Sequence, residues 1–182
     1  ISQMQHPTFL PRADGEIPSY LQEWCNEEGI GMLLIRELNS VEAAANTMNI
    51  IQEYAEGSRL GVPVLVSMDS VHGLSYVSGS TVTPHNLALA ATRDEELAVG
   101  VRMTLSPEAD IASEPRWGRV METFGEDPDL VTQMVTAQVV AFQNGADGLN
   151  EGSIVACMKH FPGAGPQMDG KDTSPIVSSE DK

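Results

Sequence analysis

Basic residues are scarce. Ten Lys and Arg stand against 26 Asp and Glu, giving a net charge of −16 over 182 residues. That shortage argues against a nucleic-acid partner, because phosphate binding needs a basic face. It argues equally against an anionic membrane surface. No apolar run approaches the roughly 18 residues that a spanning helix needs, so no membrane partner is expected. Cysteine is nearly absent. Cys25 and Cys157 lie far apart, each among apolar residues, and read as buried free thiols rather than a disulfide or metal pair. The chain opens on Ile1 with no signal-peptide pattern, so the natural N-terminus is read as missing. There is no internal repeat, no low-complexity linker and no phosphate-cradling Gly-rich loop. No metal and no cofactor is expected.

What is present is a globular composition. Hydrophobic residues make up 41%, enough for a core, and the length suits one ordinary domain or a piece of a larger one. A neutral, polyhydroxylated ligand is compatible with an acidic surface. Pro18 opens an apolar-faced helix that ends at Gly29. Met32–Ile35 is a four-residue apolar run, read as a buried strand. Ser40 caps a helix over Val41–Glu56 with Ala44, Met48, Ile51 and Ala55 on one stripe. Further strands are expected at Val62–Val66, Val101–Leu105 and Ile154–Met158. Short helical pieces are expected at Leu87–Ala91 and Glu95–Val99, and a longer helix at Leu130–Asn144. Residues 1–15 are expected to be irregular. Strands alternating with helices predict right-handed βαβ units and a parallel sheet.

Charged residues follow the strands. The second strand runs into Asp69-Ser70-Val71-His72-Gly73, the third into a polar loop, and the fourth into Lys159-His160-Phe161-Pro162-Gly163. In parallel α/β folds sites lie at the carboxyl ends of strands, so these three ends are expected to converge on one cleft. The loop between Leu105 and Leu130 holds Arg116 and Arg119 on either side of Trp117, with six carboxylates: Glu108, Asp110, Glu114, Glu122, Glu126 and Asp127. On composition alone it is equally a solvated loop whose charges pair with one another. One arginine is expected to brace the loop and the other to face the cleft. Asp69 by itself reads as a turn cap, and His72 as structural. Lys159 and His160 are adjacent, so both can enter one cleft only where the strand is ending or bulged.

Three segments, read together, resemble glycoside hydrolase family 3. They are Ser113-Glu114-Pro115-Arg116-Trp117-Gly118-Arg119, Glu122-Thr123-Phe124-Gly125-Glu126-Asp127-Pro128, and Lys159-His160-Phe161-Pro162-Gly163. Arg59–Val64 leading to Asp69–Gly73, and Ala90–Asp94, resemble the family's preceding segments. The resemblance implies an α/β fold, the family's N-terminal (β/α)8 TIM-type barrel, with residues 1–182 covering about its first half. It implies retaining exo-hydrolysis of terminal β-linked glucose or a similar sugar, with a β-linked oligosaccharide or glucoside as substrate. By position, Asp69, Arg119, Lys159 and His160 correspond to groups that hydrogen-bond the terminal sugar's hydroxyls. Asp169 and Asp172 are weaker substrate-binding candidates. Trp117 and Phe161 are expected to pack behind the site. Ala164 stands where some relatives carry an acid, so one sugar contact is expected to be missing. The segment after Gly163 lacks the His of the N-acetylglucosaminidase branch.

Retaining catalysis needs two carboxyl groups about 5–5.5 Å apart. The resemblance places the nucleophile on a later strand, beyond Lys182, and the acid/base further on or on a loop that this tail does not match. The catalytic pair is therefore unassigned here. Four strands make half a barrel with an exposed edge, and the join at Leu97–Gly100 looks too short for a full crossover helix. The expectation is a chain with segments omitted. Export from the cytoplasm, to a secreted or periplasmic location, would suit such an activity. Two alternatives differ in kind. One is a truncated barrel that binds sugar or a partner without turnover. The other is a metal-dependent barrel enzyme using Asp69, His72, Asp110 and His160, which EDTA would inactivate.

Overall fold

The computed structural model describes residues 5–9, 17–82 and 89–172, with backbone alone at 89–92. Five strands form one parallel sheet in sequence order: β1 (Thr8–Phe9), β2 (Met32–Ile35), β3 (Leu65–Met68), β4 (Met103–Thr104) and β5 (Val155–Ala156). Between β1 and β2 lies α1 (Ser19–Gln22), which continues as a π-helical segment, Glu23–Glu28, and stops at Gly29 with φ 65°. Helices α2 (Val41–Glu56), α3 (Leu89–Val99) and α4 (Pro128–Phe142) then connect each strand to the next. Sequential parallel strands joined by helices are the arrangement from which a (β/α)8 barrel is built.

The local chemistry explains the elements that the sequence announces. Ser40 caps α2 through its hydroxyl, which accepts from the Ala43 N–H at 3.0 Å. The predicted stripe of Ala44, Met48, Ile51 and Ala55 is buried. It packs into one core with Leu33 and Ile35 of β2 and Val66 and Met68 of β3, each such large side chain contributing about 1.5–3 kcal/mol by burial. Asp127 caps α4 by accepting from the Asp129 and Leu130 N–H groups, with Pro128 in the first turn.

Several expectations are corrected. Thr8–Phe9 is a strand, paired with Leu34 and Ile35, where irregular chain was expected; two residues are too few to show a period. The second strand starts at Leu65 rather than Val62. Pro63 has no N–H to give a ladder, and the Gln52 side chain instead takes both backbone groups of Val64, at 2.9 and 3.1 Å. The third and fourth strands are shorter than expected. Helix α4 begins at Pro128, ahead of the predicted Leu130. The two pieces expected around 87–99 are one helix, α3, whose described part begins at Leu89. Helix α3 is the connection between β3 and β4. Gly100, with φ +88°, turns the chain from that helix into the strand.

Candidate functional site

The carboxyl ends of β2, β3, β4 and β5 converge on one cleft of about 630 Å³. Arg36 follows β2, Asp69 follows β3, Glu108 and Asp110 follow β4, and Lys159 and His160 follow β5. Strand β5 ends at Ala156, before Lys159, and the Lys159–His160 peptide is cis. Both side chains lie at the cleft, which the sequence allowed only for a strand that was ending or bulged, and here it has ended.

Pairing across the sheet begins the loop after β4. Lys159 N–H donates to Pro107 O at 3.0 Å, and Ala109 N–H donates to Lys159 O at 2.7 Å. These bonds set Glu108 beside Lys159. The Lys159 ammonium donates to Asp69 Oδ1 at 2.6 Å and lies 3.1 Å from Glu108 Oε1. Arg36 Nη2 approaches Asp69 Oδ2 at 3.5 Å, and its guanidinium lies over the Tyr76 ring at 5.7 Å. Asp69 is thus an acceptor between two cations, not a turn cap.

Arg119 is the other centre. Its Nε and Nη2 form a fork on Glu122 at 2.9 and 2.7 Å, and Nη2 also donates to Glu108 Oε1 at 3.0 Å. Those hydrogen bonds to Glu122, with the charges of Glu108 and Glu122, raise the guanidinium above its already high pKa against the cost of burial. Burial opposes ionisation of Glu122, but the hydrogen bonds and charge of Arg119, together with Glu108 and the charge of Lys159, hold that carboxyl below its ordinary range. Arg119 Nη1 lies 3.2 Å from His160 Nε2. A guanidinium only donates, so Nε2 accepts and the ring proton sits on Nδ1. That proton goes to Asp110 Oδ2 at 2.7 Å. Asp110, fully buried, also accepts from the backbone N–H groups of His160 and Ala164. Gly165 follows because a Cβ there would lie 1.7 Å from Ile111 O.

The two arginines divide as expected. Arg116 braces the loop, its Nε and Nη2 each 2.8 Å from the Glu114 carboxylate, while Arg119 lines the cleft. Trp117 is 2% exposed and donates its indole N–H to Asp172 Oδ1 at 2.9 Å. It packs behind the site as expected. Phe161 does not: it is 98% exposed, following a chain that leaves the sheet at β5. Cys25 is buried, and burial pushes its thiol up to about 11. Cys157 is only half-buried and lines the cleft, so the expectation of two buried thiols holds for Cys25 alone.

Of the predicted substrate-binding residues, Asp69, Arg119, Lys159, His160 and Asp172 line the cleft. Asp169 lies outside it, exposed, 3.8 Å from Arg116 Nη1. Sequence reasoning missed Arg36, Tyr76 and the paired roles of Glu108 and Glu122. Arg36 had a signal, since it follows a buried strand just as Asp69 does.

Glu108, Asp110 and His160 bring possible metal-ligating atoms within 4.8 Å of one another. The cluster does not suit a cation. Arg119 and Lys159 already lie 3.0 and 3.1 Å from Glu108, and Asp110 is committed to three N–H groups. Of the alternative metal set, only Asp110 and His160 belong to this cluster, and Asp69 is taken by Lys159 and Arg36.

Fixed donors and acceptors at successive parallel strand ends surround a cleft of about 630 Å³, at the end of the sheet where (β/α)8-type folds carry their sites. The sequence profile of the glycosyl hydrolase family 3 N-terminal domain matches residues 1–182, and the chain belongs to that family. It is 41% identical over 149 residues to a periplasmic β-glucosidase/β-xylosidase of Dickeya chrysanthemi, covering 71% of this chain and 23% of that protein. A solved β-glucosidase of Erythrobacter marinus superposes with a TM-score of 0.80 at 30% identity, covering 96% of this chain and 25% of the other. A family 3 β-N-acetylglucosaminidase of Paenibacillus superposes with a TM-score of 0.79 at 25% identity, covering 94% and 34%. The fold is therefore α/β, with the parallel sheet of part of a TIM-type barrel. The chain spans about a quarter of the length of the curated relatives named here and of Emericella nidulans β-glucosidase C.

Proposed function

We propose that this chain supplies the sugar-holding part of a glycoside hydrolase site for terminal β-linked glucose or xylose. The observation that carries the reading is the convergence of Asp69, Arg119, Lys159 and His160 on one cleft, with Lys159 bonded to Asp69 at 2.6 Å across β3 and β5. Asp69 accepts hydroxyl hydrogens. Lys159 and Arg119 donate to hydroxyl oxygens, and the Asp110-oriented ring of His160 offers a fixed edge beside them. Such bonds favour hydrolysis to the extent that they tighten as the ring flattens toward an oxocarbenium ion. Asp172, held by the Trp117 indole, is a further contact at the cleft wall. The nucleophile and acid/base are not assigned to any residue of this chain. Relatives named β-glucosidase and β-xylosidase support the substrate class. Two relatives named periplasmic support a location outside the cytoplasm.

The test is hydrolysis of 4-nitrophenyl β-glucoside and β-xyloside, with calorimetric binding of the imino-sugar 1-deoxynojirimycin, by the protein and its Lys159→Ala variant. Loss of one well-placed donor is expected to weaken binding, and any turnover, by about 10²-fold. A Lys159→Ala variant that matches the parent in both would remove Lys159 from the sugar site. Binding without turnover would favour the sugar-binding role over the hydrolytic one.

A further inference from the structure

Glu108 is the buried carboxyl behind the cleft that the sugar-holding reading leaves without a task. It is 1% exposed and does not itself line the cleft. We propose that Glu108 is a positioning residue, whose carboxyl sets the spacing of Lys159, Arg119 and His160. This deepens the proposed function and rests on it for what those three groups then hold.

The geometry is that of a hub. One oxygen, Oε1, is shared by Arg119 Nη2 at 3.0 Å and Lys159 Nζ at 3.1 Å. Two cations drawn to one oxygen repel each other, and the acceptor between them offsets that repulsion. The other oxygen, Oε2, is buried without a hydrogen-bond partner and faces His160 Nδ1 at 3.4 Å. The side chain is placed from the backbone, because residue 108 bridges to residue 159 across the sheet. Lys159 and Arg119 each have a second carboxylate of their own, Asp69 and Glu122. Three carboxyls therefore serve two cations, and the most buried of the three is the surplus one. Burial pushes Glu108 up to about 8 against the pull of Lys159 and Arg119. An acceptor oxygen of the right reach, more than a full charge, is what the site needs from it. Without that oxygen, Lys159 would be drawn to Asp69 alone and Arg119 to Glu122 alone, and the two donors would separate.

The experiment compares three variants of the chain at pH 6.5. Binding of 1-deoxynojirimycin is followed by calorimetry, and the Lys159 Nζ and His160 ring nitrogens by nitrogen-15 NMR. Glu108→Gln keeps an acceptor at full reach and is expected to bind like the parent, with unmoved nitrogen signals. Glu108→Val removes the acceptor, and Glu108→Asp withdraws it by one methylene. Both are expected to weaken binding by about tenfold or more and to shift the signals. If Glu108→Val does not fold, Glu108→Asp against Glu108→Gln decides alone. Parental affinity in Glu108→Asp, or equal losses in Asp and Gln, would overturn the proposal. If the parent binds no imino-sugar, the sugar reading falls and the NMR comparison decides positioning by itself. Signals that move in Asp and Val but not in Gln would uphold it, and any other pattern would overturn it.

Discussion

At the scale of single residues the buried acids matter most, because burial turns an ordinary side chain into a pH-dependent one. Glu96, on α3, is fully buried, and its carboxyl accepts from the Ser70 hydroxyl beside Asp69. Burial raises it from the ordinary 4.5 to about 8, against the hydrogen bond from Ser70. The folded pKa exceeds the unfolded one, so the folded chain keeps a proton that the unfolded chain releases. The stability linked to this group is fully present below the unfolded value of 4.5 and is lost as pH rises through about 8. The slope inside that window is about 1.4 kcal/mol per pH unit. Glu108 adds a similar slope, so the informative quantity is the difference between the parent and Glu96→Gln. Urea unfolding at several values between pH 5 and 8 should show a shallower decline in the variant. Parallel declines would mean that Glu96 is ionised in the fold.

At the scale of elements the caps carry the local argument. The Ser40 hydroxyl and the Asp127 carboxylate each satisfy N–H groups that a helix start leaves without partners. Ser40→Ala and Asp127→Ala should each cost about 1 kcal/mol in thermal or urea unfolding. The Asp127 change should in addition loosen the loop that presents Arg119, since α4 begins directly after it. A Ser40→Ala variant as stable as the parent would show that α2 is held by its buried stripe alone. The loop after β4 is held at both ends by different means. The 108–159 bridge fixes its start, and the Asp127 cap its end.

At the scale of the whole molecule the core is uneven. Among the described residues an apolar cluster runs from Phe9 to Val101, through β1, β2, α2 and β3. Phe142 and Ile154 are fully buried but outside it. Among the described residues β5 pairs with β4 alone. Amides of Leu33–Ile35 and Val66–Met68 should therefore exchange with deuterium more slowly than those of Val155 and Ala156. Equal protection across all five strands would indicate one cooperative unit.

The sequence by itself determined the alternation of strands and helices, helix α2 and its buried stripe, the family, and the strand-end residues Asp69, Lys159 and His160. These rest on periodicity, capping chemistry and contiguous motifs, which are properties of short stretches. Only the tertiary structure decided that Thr8–Phe9 is a strand, that Val64 is tied to Gln52, and that Phe161 faces out. It alone joined Arg36 to Asp69 and placed Glu108 between Lys159 and Arg119. The 33 positions from Arg36 to Asp69, and the 51 from Glu108 to Lys159, are spanned by sheet pairing. Distance across a sheet is set by register and burial, and neither is written in any local stretch of chain.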